Sequence, residues 1–189
     1  MKKIIGIIVF SVLGTVVFAN ETWHSFGLGF RNNYDRILRL DFSTYKYFND
    51  VGMIFFNCDF TKPINVDNTD YYFQFSTIVG PGVKFNLNEI TKLNIGIGFS
   101  YQFIFGEYKD NLSMHFNLGY GGDINLAFII SESIYLHFGT TVNQYFVNFR
   151  ITKIGNHYQS DEDIKIEWTE NYSMFDIRPY IGVGFIIKK

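Results

Sequence analysis

Histidine and serine are the residue types whose spacing first suggests chemistry in this 189-residue chain. Of the four histidines, His24, His115, His137 and His157, the second follows Ser113 by two residues. In a strand such a pair shares a face and could act as a base and a nucleophile on a lipid ester. No ligand cluster with metal spacing surrounds His115 or His137, so interior hydrogen bonding is the favoured interpretation for both. We therefore predict no catalytic residue, and an enzyme that modifies membrane lipid is the less favoured hypothesis.

Neither a metal ion nor a cofactor is predicted. Two acidic runs, residues 67–70 and 161–163, could offer oxygen ligands to Ca²⁺, but neither has the periodic ligand pattern of a dedicated site. Cys58 is the only cysteine, so the chain cannot form an internal disulfide. It falls on the apolar side of an alternating segment, where we expect a small hydrophobic side chain rather than a reactive thiol.

The elements that must position these side chains have a period of two. From Leu93 to Phe105, apolar and aromatic residues alternate with small and polar ones until Ile104. Successive side chains of a strand point to opposite faces, so this segment is predicted to be one two-sided strand. The alternation recurs along the chain and predicts eight strands, at about 22–31, 36–47, 51–60, 71–87, 93–105, 112–130, 134–149 and 172–187.

Short and longer connections alternate between these strands. Tight turns are predicted at 48–50, 88–91 and 131–133, and longer loops at 61–70, 106–111 and 150–171, after a brief polar connection at 32–35. All longer loops then lie on one side of the fold, and both termini lie with the short turns. The longest loop, Arg150 to Asn171, places Tyr158 and Trp168 among charges, and we expect it to carry any partner binding.

The residue types on the two faces indicate which medium surrounds the fold. The apolar faces are dense in phenylalanine, with 22 in the chain, whereas the polar faces hold mainly Gly, Asn, Ser and Gln. A soluble barrel would carry many Lys and Glu residues outside, and a narrow eight-stranded lumen accommodates small side chains. We therefore predict an all-β fold, an eight-stranded antiparallel up-and-down transmembrane β-barrel; the alternative is a soluble barrel that is apolar inside.

Charged residues on the polar faces could pair inside such a lumen. Arg or Lys costs about 2–4 kcal/mol on the lipid face at the membrane midplane, whereas in the lumen it can find an opposite partner. Four basic and four acidic residues fit this description: Arg31, Arg39, Lys84, Arg178, Asp41, Asp59, Asp123 and Asp176. Equal numbers predict a closed network of ion pairs; the alternative is that individual residues lie in water at strand ends.

Aromatic residues and prolines add two expectations. Tyrosines near strand ends, Tyr45, Tyr47 and Tyr135 among them, and Trp23 near the first strand are predicted to form belts at the headgroup level, with simple β-propensity as the alternative. Pro81 and Pro179 fall inside predicted strands but cannot donate to a ladder, so we expect a bulge or a lost hydrogen bond at each.

The first 19 residues are predicted to be a secretory signal peptide. A basic start, Met1 to Lys3, precedes an apolar run from Ile4 to Phe18 and a small residue, Ala19, at the expected cleavage position. The run is short of the ~20 residues of a membrane span, which disfavours an uncleaved anchor. Cleavage would leave residues 20–189 as the barrel domain and change the net charge from −2 to −4, so no nucleic-acid partner is predicted.

The chain resembles the small eight-stranded outer-membrane barrels, both the OmpA/OmpX-like and the OmpW-like group, and is similar to short outer-membrane proteins of treponemes and other spirochaetes. The most specific likeness is the final strand, residues 180–187, in which Gly182, Phe185 and Ile187 match the spacing read by the barrel-insertion machinery. The departure is the ending Lys188-Lys189, where many members end on Phe. The resemblance implies a bacterial outer-membrane location, with outer-membrane lipid and the insertion machinery as partners, long loops outside and periplasmic termini.

The favoured function is a non-enzymatic outer-membrane barrel with a side-chain-filled lumen. Its surface loops would serve structural, adhesion or other binding roles toward an extracellular ligand or protein. The alternative is a narrow channel or lateral conduit for small solutes, including apolar ones. One barrel fold hosts many functions, so the fold alone does not rank these hypotheses.

Overall fold

Eight antiparallel strands form a closed barrel in the computed structural model of the chain, which describes residues 21–30, 37–63, 72–108, 111–154 and 163–188. The strands are β1 (Glu21–Phe30), β2 (Ile37–Tyr47), β3 (Gly52–Pro63), β4 (Tyr72–Asn86), β5 (Thr91–Tyr108), β6 (Asn111–Ile129), β7 (Ile134–Ile154) and β8 (Asp163–Lys188). Each pairs with its neighbour in sequence, and β8 closes the barrel by pairing with β1. The predicted eight-stranded up-and-down fold is confirmed. Within the described ranges we find no helix with the length and hydropathy that a membrane span requires.

The barrel sorts side chains by the alternation that the sequence predicts. Inward residues such as Asn94 and Ser100 are almost completely buried, whereas their outward neighbours Ile97 and Phe99 are 70% and 73% exposed. The outer surface of the wall is therefore apolar and the interior polar. The residues of the predicted signal peptide, 1–19, lie outside the described residues.

Asparagine side chains fix two of the short turns. The Asn49 Oδ1 accepts hydrogen bonds from the backbone N–H groups of Val51 and Gly52 at 2.9 and 2.5 Å. The Asn88 Oδ1 does the same for Ile90 and Thr91 at 3.0 and 2.7 Å. This is the Asx-type bonding that makes asparagine a favourable turn residue.

Strand length rises around the barrel, so the described strand ends form a slanted rim. From β1 to β8 the strands have 10, 11, 12, 15, 18, 19, 21 and 26 residues. At the end opposite the short turns, β5–β8 continue together beyond the described ends of β1–β3, while β4 stays paired with β5 there as far as Tyr72↔Gly106. We call this extension the raised sheet; it comprises residues 103–108, 111–117, 147–154 and 163–170.

The raised sheet corrects two predicted loops. Residues 106–111 lie largely within β5 and β6, and the predicted loop from Arg150 to Asn171 is mostly strand, because β7 continues to Ile154 and β8 begins at Asp163. The physical reason is that a strand beyond the lumen meets water on its inner face. Charged and polar residues can therefore occupy a strand in this region. In the barrel wall, runs of such residues indicate a loop, which is why the sequence predicted loops here.

Register shifts mark the base of the raised sheet. The β7–β8 pairing shifts between Tyr145 and Val147, and the β6–β7 pairing shifts between Leu118 and Gly119. A bulge inserts an extra residue and bends the strand. Here it changes the alternation of β7, so that Tyr145 below the shift and Asn148 above it are both buried.

The two prolines behave differently. Pairing between β4 and β5 stops at Val79↔Phe99 and resumes in the same register at Gly82↔Gly96, so the ladder is lost at Pro81 without a bulge. This confirms the expectation that a ladder hydrogen bond is lost at Pro81. Pro179 keeps its place opposite Thr140 in β7, while the β1–β8 ladder ends one residue away at Tyr180.

Candidate functional site

The lumen near the short turns is filled by aromatic side chains. Trp23, Tyr47, Phe55 and Tyr135 are at most 1% exposed and form one buried cluster. The centroids of the Trp23 and Tyr135 rings lie 4.6 Å apart, and those of Trp23 and Tyr47 lie 5.3 Å apart. The prediction that Trp23, Tyr45, Tyr47 and Tyr135 form headgroup-level belts is therefore wrong. These four residues do lie near strand ends, but their side chains point inward and pack against each other.

Two glycines of β8 make room for this packing. A Cβ at Gly184 would lie 2.5 Å from the Tyr135 hydroxyl oxygen, and one at Gly182 would lie 2.6 Å from the His137 Nε2. Gly182 thus has a packing role that the sequence analysis did not foresee, whatever it contributes to an insertion signal. Phe185 and Ile187, the other residues of that expected signal, are outward-facing and about half exposed.

Two arginines and three aspartates meet in the middle of the lumen. Arg39 donates from Nε and Nη2 to the two carboxylate oxygens of Asp41 at 2.7 and 2.5 Å. Arg178 donates from Nη1 to Asp59 and from Nε to Asp176, each at 2.5 Å. All five side chains are at most 4% exposed. Charges buried this deeply require partners, because desolvation costs several kcal/mol per ion.

Asp123 is held by tyrosines instead of a cation. The hydroxyl groups of Tyr45 and Tyr180 each donate to its carboxylate at 2.7 Å, and Asp123 is fully buried. These hydroxyl groups reach from β2 and β8 to β6. Sequence reasoning missed both donors, because their approach depends on contacts across the lumen rather than on spacing within one strand.

The remaining predicted members of the network lie elsewhere. Lys84 lies 3.6 Å from the Glu21 carboxylate and 4.2 Å from the centre of the Tyr47 ring, near the short turns. Arg31 lies outside the described residues. The structure thus brings together five of the eight predicted charges, gives Asp123 hydroxyl partners, and places Lys84 in a separate pair with Glu21, which the sequence analysis did not select.

Contacts across the lumen leave the bore filled along its described length. Arg178 on β8 reaches Asp59 on β3, and Tyr47 on β2 donates to Asn94 on β5 at 3.0 Å. Tyr145 on β7 contacts Ser100 on β5 at 3.3 Å between the two oxygens. Side chains from opposite walls therefore meet at several heights.

The histidines take structural positions. The His137 Nδ1 lies 2.7 Å from the Asn125 Nδ2, and the His24 Nδ1 lies 3.0 Å from the Thr44 Oγ1. The Ser113 Oγ and His115 Nε2 are 3.0 Å apart in the raised sheet, and Arg150 Nε donates to the same serine at 3.3 Å. Among the described residues, no group of three His, Cys, Asp or Glu side chains could hold a metal ion. His157 and residues 67–70 lie outside that part of the chain.

The outer face of the raised sheet carries a row of aromatic rings. Neighbouring centroids are 4.9 Å apart for Phe103 and Phe116, 6.2 Å for Phe116 and Phe149, and 6.0 Å for Phe149 and Trp168. Trp168 is 59% exposed and Ile166 is 62% exposed. Trp168 was expected in a loop, but it belongs to β8; Tyr158 lies outside the described residues.

This row ends at an open strand edge. The β1–β8 ladder runs from Lys188 to Tyr180, and the rest of β8, residues 163–179, has described partners on β7 alone. Within the described part of the chain, this edge therefore presents backbone N–H and C=O groups for pairing.

An apolar groove of about 660 Å³ lies on the outer wall where the β4–β5 ladder is interrupted. Pro81, Ile97, Phe99, Tyr120 and Val142 contribute to its lining. On the lumen side the wall is covered by Phe55, because a Cβ at Gly96 would lie within 3.0 Å of its ring.

Comparison with known proteins supports the fold. No family model matches the chain, and no curated protein matches it. Among solved structures it is similar to the N-terminal β-barrel domain of Pseudomonas aeruginosa OprF, with a TM-score of 0.61, 10% identity and coverage of 89% of this chain and 98% of that one. The outer membrane protein OprG of Pseudomonas aeruginosa gives a TM-score of 0.61, 10% identity and coverage of 90% and 97%. Ail, the attachment invasion locus protein of Yersinia pestis, gives a TM-score of 0.51, 12% identity and coverage of 89% of this chain and 99% of that one. The chain has the fold of small outer-membrane β-barrels.

Proposed function

We propose that the protein is an integral barrel of a bacterial outer membrane and that it binds polypeptide through the raised sheet. The apolar outer wall is the observation that supports the membrane location. Its exposed residues include Phe26, Ile97, Phe99, Phe138 and Ile181, each 49–73% exposed. A contiguous surface of this kind in water would aggregate, whereas in a bilayer it contacts acyl chains.

Strand lengths agree with one membrane crossing. About 9–11 tilted residues cross the hydrocarbon layer, and β1–β3 have 10, 11 and 12 residues. Closure of the barrel pairs the backbone groups that lipid cannot satisfy. In this arrangement the described N-terminal end and the short turns lie on the periplasmic side, and the raised sheet lies outside the cell. Export would use residues 1–19 as a signal peptide, and insertion would use the barrel-insertion machinery.

The filled lumen supports a role in display rather than conduction. Buried charges, tyrosines and amides connect strands across the lumen at several heights, which favours display over conduction. The Ser113–His115 pair has no carboxylate that orients the histidine among the described residues, and Arg150 occupies the serine oxygen. This arrangement supports a non-enzymatic role.

The binding mode we propose is strand addition at the edge of β8. An extended segment would pair with the backbone of residues 163–170, next to the exposed side chains of Ile166 and Trp168. Main-chain hydrogen bonds supply affinity in this mode, and alternate side chains supply specificity. The partner is thus an extended polypeptide segment with apolar residues at every second position.

A peptide copying residues 147–154 is a direct probe of this mode. That segment pairs with β8 residues 163–170 on their other side, and the copy alternates apolar with polar residues over 147–152. We expect it to bind the barrel in nanodiscs and to slow amide hydrogen exchange in residues 163–170. A peptide of the same composition without alternation is the control. Equal protection by both peptides, or protection by neither, would contradict strand addition.

The interrupted β4–β5 ladder favours one second candidate, a narrow lateral path for small apolar solutes. The groove outside the interruption is apolar, and Phe55 covers the inner side. Single-channel recording in planar bilayers tests this candidate. Reproducible openings that increase in Phe55→Ala would support it, whereas silent bilayers with both proteins would exclude ion conduction and leave the display function.

A further inference from the structure

The inner face of the raised sheet carries two rows of polar side chains above the lumen. His115, Arg150 and Glu167 are directly opposite one another on β6, β7 and β8. Ser113, Thr152 and Lys165 form the next row toward the rim. This face is opposite in orientation to the aromatic row. It uses side chains that point inward, including Lys165 and Glu167 of β8, whereas strand addition uses the backbone of β8, so the two inferences can be tested separately.

Arg150 lies at the centre of this face with unused donor capacity. Its Nε donates to the Ser113 Oγ at 3.3 Å, and neither Nη atom donates to another described residue. The carboxylate opposite it in register, Glu167, is bound by Lys165 at 2.6 Å between Nζ and Oε1. The guanidinium group is half-buried and therefore partly screened from water, which strengthens its attraction for an anion.

A chain of amides brings a further donor to the base of the face. Asn148 donates to Asn117 at 2.5 Å, and Asn117 donates to Gln102 at 2.6 Å. Each amide nitrogen thus donates to the oxygen of the next side chain, and the chain ends at Gln102. The Nε2 of Gln102 is buried and has no hydrogen-bond partner among the described residues. The lumen below the face therefore holds a buried donor that no described residue uses.

The central row of the face holds one imidazole, one guanidinium and one carboxylate. The pKa of His115 is lowered by burial and by the Arg150 charge, so the ring is neutral at pH 7. The hydrogen bond from Lys165 and its charge lower the pKa of Glu167, which keeps that carboxylate ionised and paired. Arg150 then remains a cation with no hydrogen bond to a carboxylate among the described residues.

We propose that this face binds a sulfate or phosphate group, with the Arg150 guanidinium as its anchor and Ser113, His115 and Lys165 around it. A planar fork of N–H groups suits two oxygens of a tetrahedral oxyanion. Such a group is available from a soluble sulfated saccharide or from a lipid headgroup. Strands β6–β8 extend well beyond a single crossing of the membrane, which favours the soluble source.

The test is a sulfate titration of the barrel in octyl glucoside micelles, which contain no phosphate. Sodium sulfate replaces sodium chloride at constant ionic strength, and the His115 imidazole signal is followed by NMR. We expect a saturable shift and a higher His115 pKa with sulfate bound, because the anion offsets the charge of Arg150. Arg150→Gln should weaken binding by about tenfold, and Lys165→Gln by a smaller factor. Arg150→Lys keeps the charge without the fork and should fall between wild type and Arg150→Gln.

Lys92→Gln is the matched control, because it removes one positive charge near the short turns. It should bind sulfate as the wild type does. Two further arms distinguish the source: a soluble sulfated hexasaccharide in neutral micelles, and phosphatidylglycerol added to the micelles without sulfate. A response to either supports the site and identifies its ligand.

Three results would overturn the proposal. They are a sulfate response that does not saturate, an equal response in the wild type and Arg150→Gln, or an equal loss in Arg150→Gln and Lys92→Gln. Heat-modifiable gel mobility shows that each variant is a folded barrel, so a lost response is not mistaken for misfolding. Failure here would leave the open edge of β8 and its peptide test unaffected.

Discussion

The lumen and the raised sheet are built by the same strands and follow the same alternation, yet their charged residues have opposite surroundings. In the lumen, Arg178 is 1% exposed and bound to two aspartates on different strands. In the raised sheet, Lys165 and Glu167 form an exposed pair on one strand. The comparison shows that alternation determines which way a side chain points. Its contribution to stability depends on whether an opposite wall of the barrel buries it and supplies partners.

The outer faces of the two regions differ in the same way. Around the lumen, the apolar residues form a wall that we assign to acyl chains. On the raised sheet, the aromatic row from Phe103 to Trp168 continues the wall pattern beyond the length of one membrane crossing. Apolar residues in that position are available to a partner, because no described strand covers them.

The largest expected difference comes from removing one charge in each region. Arg178→Met leaves Asp59 and Asp176 buried without their arginine, and we expect a loss of about 3–5 kcal/mol in the free energy of unfolding. Lys165→Met breaks the exposed pair and should cost at most about 1 kcal/mol. Urea unfolding in lipid vesicles measures both. Similar losses would mean that the lumen network is hydrated rather than buried.

A new charge on the outer faces gives the next largest contrast. Phe99→Lys places an ammonium on the wall of the lumen region and should destabilise the folded barrel by about 2–4 kcal/mol in vesicles. Ile166→Lys makes a similar change on the raised sheet, where we expect about 0.5 kcal/mol or less. Folding titrations in the same vesicles compare the two. If the exposed lysine of Phe99→Lys proved harmless, the wall would not contact acyl chains.

Tyr45→Phe isolates one polar contact in the lumen. It removes a hydroxyl donor from the buried Asp123 carboxylate and leaves Tyr180 as its hydroxyl donor, so we expect a loss of about 1–3 kcal/mol. The control is Tyr120→Phe, whose ring is on the outer wall and 59% exposed. Equal stability of the two variants would show that Asp123 does not depend on the hydroxyl from Tyr45.

The smallest expected effect is on the pH dependence of the raised sheet. Lys165 lowers the pKa of Glu167 below its ordinary value, so the folded pKa lies below the unfolded one. The stabilisation is present above the unfolded pKa and is lost as the pH falls through the folded pKa. The protection factors of the amides in residues 163–170, which are corrected for the intrinsic pH dependence of exchange, should therefore decrease modestly under acidic conditions in the wild type. Glu167→Gln should show a flatter dependence, and an identical profile would contradict the role of the pair.

The sequence predicted the number and order of strands because alternation is a local property that survives in any sheet. It placed the ends of β5–β8 too early, since polar residues on the water-exposed inner face of the raised sheet resembled loop residues. It also placed Trp23 and Tyr45 at the membrane surface. Their contacts come from other strands: Tyr47 and Tyr135 for Trp23, and Asp123 and Tyr180 for Tyr45. Which heights on different strands meet inside a barrel depends on shear, a quantity that no single strand encodes.

The lumen charges show the same boundary between local and non-local information. Arg39 and Asp41 are two residues apart on one strand, so their pairing could be anticipated. The Arg178–Asp59 contact joins β8 to β3, and the two tyrosines on Asp123 come from strands on other sides of the lumen. Sequence reasoning identified the charged residues as inward-facing but could not assign these partners.

Spin labels on the two outer faces test the central claim most directly. Phe99→Cys and Trp168→Cys, each in a Cys58→Ser background, would be labelled in the barrel reconstituted in lipid vesicles. The label at position 99 should relax faster with oxygen, which dissolves in acyl chains, and the label at position 168 with a water-soluble nickel complex. Equal access of the nickel complex to both labels would contradict the assignment of the outer wall to lipid and of the raised sheet to water.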